Sequence, residues 1–126
     1  MLRALDAIFH IVHLTVILIN LTFWMSLRTL RIAQVTLGLT LLSWAGFGAW
    51  YGFGYCFLTD WHWQVKERLG DTSVPPSYVK LVVNRTFGVD SDPALIDEAT
   101  IAMLVVALLG CLIQTVRQFL RHRRAG

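Results

Sequence analysis

Charge is scarce in this sequence, and where it is missing says more than how much there is. Among 126 residues there are 11 Lys and Arg and 8 Asp and Glu, and none falls between Asp6 and Arg28, between Arg31 and Asp60, or between Glu98 and Arg117. Those gaps hold 21, 28 and 18 residues. About 20 apolar residues at 1.5 Å rise cross roughly 30 Å of hydrocarbon, so the gaps read as membrane spans. With Gly counted in and Tyr left out, about 60% of the chain is apolar, against roughly 45 to 50% in soluble domains. A soluble protein of this size does not fit. Other absences narrow the function. There is no nucleophile elbow, phosphate loop or paired-acid motif, and hence no complete catalytic constellation. Nothing resembles a nucleic-acid motif, so the basic balance belongs to the Arg residues beside the spans.

Cysteine is limited to Cys56 and Cys111. The first ends the second gap, whereas the second lies about 13 residues, or roughly 20 Å, into the last helix, and a disulfide needs Cα atoms within about 7 Å. Two free thiols are expected, with Cys56 the reactive one.

These gaps predict an all-α integral membrane protein, a single bundle over residues 1–126 with spans at about 5–24, 32–53 and 97–117. Arg3 and the apolar run after it resemble a signal peptide, but the run is too long and lacks a small-residue cleavage site, so it reads as a retained span. The second span carries Ala45, Gly48, Ala49 and Gly52, whose four-residue spacings let another helix approach closely. Gly52 and Gly54 are expected to end it. The connector 60–98 is expected to form short interfacial helices: one from Asp60 to Leu69 with Trp61, Val65 and Leu69 along its apolar face, and one over 77–87. Trp61 and Trp63 suit the headgroup level. Asp92-Pro93 reads as an N-cap followed by proline at the first helical position.

Charge asymmetry predicts the orientation. Arg28, Arg31, Arg117, Arg121, Arg123 and Arg124 share one side with no acid, and all eight acids lie on the other. Basic residues beside span ends face the cytoplasm, so the N-terminus and the connector are expected outside and the C-terminus inside. The Arg cluster at the C-terminus also favours anionic lipid.

The most specific local pattern is in the first span. Asp6, His10, His13, Ile17, Asn20 and Trp24 recur at helical spacing, so they share one face. A polar stripe at membrane depth points into the bundle, because an ionisable group there costs about 2.5 to 3.5 kcal/mol against lipid. His10 and His13, with His62 or a carboxylate such as Asp6 as third ligand, would suit a transition metal. The same histidines could ligate haem iron or relay protons beside a quinone. The plainer alternative is that they are neutral and satisfied by Asp6, by Thr40 or Ser43 across a helix contact, or by backbone carbonyls.

The run Tyr55-Cys56-Phe57-Leu58-Thr59, followed by an amphipathic segment ending Arg68-Leu69-Gly70, resembles the motif of small bacterial membrane proteins grouped as domain of unknown function 2784. That motif reads Cys-Pro-Leu-Thr, two residues, then Glu; here Phe57 replaces the proline and His62 stands where the Glu would be. The resemblance implies a bacterial inner membrane and singles out Cys56, Leu58, Thr59 and His62, but no activity.

Two functions follow as expectations. One is a non-catalytic accessory subunit, partnered by the bilayer and by other membrane proteins or its own copies. The other is a redox or quinone-linked protein holding a metal or haem through the outer histidines. A small transporter or lipid enzyme is a weaker third, since three short spans leave little room for an enclosed aqueous path.

Overall fold

A computed structural model describes all 126 residues, and they form helices without any β-strand. The order is α1 (Leu2–Thr22), α2 (Leu30–Leu41), a π-helical stretch (Leu42–Phe47), α3 (Gly48–Tyr51), α4 (Phe57–Arg68), α5 (Tyr78–Phe87) and α6 (Pro93–Ala125). Three helical stretches are long and apolar enough to cross a membrane: Leu2–Met25, Leu30–Tyr51 and Pro93–Ala125. Their outward faces carry residues such as Ile11 and Leu18, about 65% and 59% exposed. That exposure suits a lipid environment, where apolar side chains face the solvent.

The predicted punctuation is largely present. Gly52, with φ of 105°, ends the second span, a conformation other residues rarely adopt. Ser77 caps α5 by accepting from the Lys80 N–H, and Gly88 closes it in the left-handed region. Asp92 Oδ1 accepts from the Ala94 N–H at 2.9 Å at the start of α6. α6 runs to Ala125, past the end of the third span expected at about 117. At 33 residues it is about 50 Å long.

The chain divides into two compact units. Unit 2 holds Leu14–Tyr55 and Met103–Gly126. Its core is Leu30, Ala33, Leu37, Ala107 and Cys111, flanked by Phe23, Trp24, Leu104 and Leu108. Asn20 Nδ2 donates to Thr40 Oγ1 at 2.8 Å, and Gln34 Nε2 to Thr115 Oγ1 at 2.8 Å. Small residues work here at a place the spacing motif does not mark: a Cβ on Gly110 would lie 2.3 Å from the Trp24 ring. Ala45 and Ala49 are exposed. A Cβ on Gly48 would lie 3.3 Å from the Phe53 Cα, so Gly48 leaves room for the turn that Gly52 begins. The π-helical stretch, unforeseen, contains Ser43, whose buried hydroxyl donates to the Tyr55 carbonyl at 3.0 Å.

Unit 1 holds Met1–His13 and Cys56–Ala102. Here the start of α1, α4 and α5 meet, and the loop before α6 is clipped to α5. Lys80 Nζ donates to Asp90 Oδ1 at 2.7 Å and to the Ser91 carbonyl. Asn84 Oδ1 accepts from both the N–H and the hydroxyl of Ser91.

Candidate metal centre

Asp6, Phe9, His10 and His13 lie on one face of α1 by helical spacing. In unit 1 that face meets α4. The apolar stripe of α4 stays outward, as an interfacial helix would hold it, with Trp61 53% exposed and Leu69 38%, while His62 is fully buried and Lys66 nearly so. The helix has turned its His62 and Lys66 face inward because those groups find a carboxylate there. A buried ionic group left unpaired would cost several kcal/mol.

That carboxylate is Asp6. Its Oδ1 lies 2.7 Å from His62 Nε2 and 3.2 Å from Lys66 Nζ. Lys66 Nζ is also 3.8 Å from Asp71 Oδ2. With Asp6 ionised, His62 donates from Nε2, so Nδ1 carries the lone pair; that atom is buried and has no partner. Burial pushes the His62 imidazole below its ordinary value of 6.5, opposed in part by the hydrogen bond and charge of Asp6. The ring is therefore held neutral, the form a metal requires.

His10 completes the group. Its ring stands edge-on to His62, with centroids 4.6 Å apart at 88°. The Tyr78 hydroxyl donates to the His10 carbonyl at 3.2 Å and lies 2.9 Å from His10 Nδ1. With its proton so placed, the phenol oxygen accepts from Nδ1–H and leaves Nε2 as the lone-pair nitrogen. Burial raises the Tyr78 phenol above its ordinary 10.0, so it stays protonated near neutrality. One ligand atom from each of Asp6, His10 and His62 lies within 4.8 Å of the others.

His13, expected to pair with His10 as a ligand, is separated from this set. Its ring stacks on Tyr78 with centroids 3.9 Å apart at 4°, and its Nε2 faces Thr59 Oγ1 at 3.3 Å and Cys56 Sγ at 3.6 Å. Its Nδ1 is buried without a partner, while Asp6 binds His62 and Lys66. Both cysteines are free. Trp63 is a structural member of the unit, donating to the Pro75 carbonyl at 3.0 Å. Leu58 is half-buried on α4, and Arg28, Arg31, Arg117, Arg121, Arg123 and Arg124 are all exposed. Lys66 and Tyr78 are the site residues missing from the sequence reading. Lys66 was visible as the residue one turn after His62; Tyr78 carried no signal, because only the packing of α5 brings it to α1.

The family described as Protein of Unknown function (DUF2784) matches residues 3–116, which take in Asp6, His10, His13, Cys56, Thr59, His62, Lys66 and Tyr78. No curated protein and no solved structure matches the chain.

Proposed function

The chain belongs to this family of unknown function, DUF2784, and we propose that it is an integral membrane protein that binds a divalent transition-metal ion through Asp6, His10 and His62. The observation that carries the reading is the convergence of two imidazoles and one carboxylate, whose ligand atoms lie within 4.8 Å of one another. Two imidazoles and a carboxylate suit zinc or ferrous iron and leave coordination positions open, which marks a catalytic or redox centre rather than a structural one.

The ion would replace the proton shared by Asp6 and His62. Lys66, whose charge balances Asp6 in its absence, has Asp71 as its alternative partner. The orientation that goes with this reading has the N-terminus and the connector 60–98 outside a bacterial inner membrane and the C-terminus in the cytoplasm, as the six unopposed Arg residues argue.

Metal analysis of protein purified in mild detergent, followed by zinc and ferrous titration of the stripped protein, tests the reading. About one ion per chain is expected, lost in Asp6→Asn and His62→Ala. Wild-type protein that takes up neither ion would refute it. The accessory-subunit reading keeps one observation in its favour, the exposed Ala45 and Ala49 on the second span. A monomer without crosslinked partners in native membranes would end it.

A further inference from the structure

We propose that the Arg117, Arg121 and Arg124 face of α6, with Arg28 and Arg31 around the start of α2, is a binding surface for the phosphate headgroup of an anionic phospholipid. All eight acids of the chain belong to unit 1, so the six Arg residues of unit 2 have no carboxylate within their own unit. None of them enters an ion pair, since the basic groups paired in this fold are His62, Lys66 and Lys80. All six are exposed. Uncompensated charge so concentrated draws anions from outside the chain.

The helix sorts these residues. At about 100° per residue, Arg117, Arg121 and Arg124 fall within an arc of about 60°, and Arg123 lies about 130° round from the middle of it. Arg123 is engaged there by its own helix, with its guanidinium carbon 4.7 Å from the centroid of the Phe119 ring. Gln114 borders the arc, about 20° beyond Arg121. Its Nε2 donates to the Met25 carbonyl at 3.4 Å, and Gln34 Nε2 donates to Thr115 Oγ1 at 2.8 Å. These two bonds hold the arc beside the turn that carries Arg28 and the first turn of α2, which carries Arg31. The guanidinium groups therefore gather at one end of unit 2.

A lipid matches this surface better than a soluble anion or an acidic protein does. On the other edge of the arc lie Ile113 and Leu120, 52% and 48% exposed, on a helix long and apolar enough to cross a membrane. An anionic phospholipid meets both parts at once, its phosphate on the Arg residues and its acyl chains along the apolar flank. Guanidinium groups hold phosphate oxygens through paired hydrogen bonds. A soluble acidic partner would leave the apolar flank uncovered.

The surface includes none of Asp6, His10 and His62, so it stands apart from metal binding and is tested with a chelator present. The full chain in neutral detergent is titrated with phosphatidylglycerol, and bound lipid is counted by native mass spectrometry. Phosphatidylglycerol is expected to bind, and neither phosphatidylcholine nor millimolar inorganic phosphate to displace it. Arg121→Gln is expected to weaken binding about fivefold and the triple change Arg117→Gln, Arg121→Gln, Arg124→Gln about a hundredfold, whereas Arg123→Gln changes it less than about twofold. Arg121→Gln and Arg123→Gln carry the same net charge, so equal losses in the two would show that total charge and not this face binds the lipid, and would overturn the proposal. Phosphatidylcholine bound as tightly as phosphatidylglycerol overturns it without any variant. Displacement by inorganic phosphate, or polyglutamate bound as tightly as the lipid, overturns the lipid assignment. Detergent has no sides, so the outcome is independent of how the chain is inserted.

Discussion

At the scale of single residues, the chemistry of unit 1 turns on how few partners Asp6 has to share. His62 and Lys66 bind the same carboxylate oxygen, so one anion serves two donors. Lys66 therefore competes with any metal at Asp6. Lys66→Met is expected to raise zinc affinity by about tenfold or more, read by isothermal titration; unchanged affinity would show that the ammonium does not oppose the ion. The pH dependence has a definite sign. His62 is depressed by burial, so in the folded protein it stays neutral while the unfolded chain takes up a proton as pH falls through 6.5. Unfolding then binds more protons than folding retains, and stability falls below about pH 6.5 instead of rising. Protection factors across α4, with exchange taken relative to the intrinsic amide rate at each pH, are expected to fall between pH 7.5 and 5.5 in wild type and to lose that dependence in His62→Gln. Protection factors that are the same at both pH values would contradict it.

At the scale of elements, the medium around a helix decides which of its faces turns inward. The periodicity of α4 offers an apolar stripe of Trp61, Val65 and Leu69 and a polar one of His62 and Lys66. In a soluble domain the apolar stripe would be buried. Beside a membrane, apolar side chains lose little by facing lipid, and an unpaired polar group loses much, so the polar stripe turns inward. Ala45 and Ala49, marked by the four-residue spacing, are exposed, while Gly110, outside any such motif, lies under the Trp24 ring. Gly110→Leu is expected to destabilise unit 2 by about 1 to 3 kcal/mol through overpacking, measured as a lower unfolding midpoint in detergent. The corresponding Gly38→Ala, which meets nothing within 4 Å, is expected to leave the midpoint in place.

At the scale of the whole molecule, three helices are long and apolar enough to cross a membrane, and the proposed orientation, argued from the positive-inside bias, has the N-terminus outside and the C-terminal Arg cluster in the cytoplasm. A cysteine tag at residue 2 is expected to react with a membrane-impermeant maleimide in intact cells, and one at residue 125 only after lysis; the reverse pattern would invert the topology. The class of protein, the three spans, the cap at the start of α6 and the polar face of α1 were legible in the sequence. All of these are local: hydropathy over about 20 residues, a cap beside its helix, a spacing of three or four. The sequence could also nominate Asp6, His10 and His62 as ligands, but it paired His10 with His13. Only the tertiary structure separated them, because the partners are far apart along the chain: Asp6 meets His62 across 56 residues, His13 meets Cys56 across 43, and His10 meets Tyr78 across 68. No periodicity reaches that far, and the choice among partners was made where α4 and α5 pack against α1, by the cost of leaving a buried polar group unpaired.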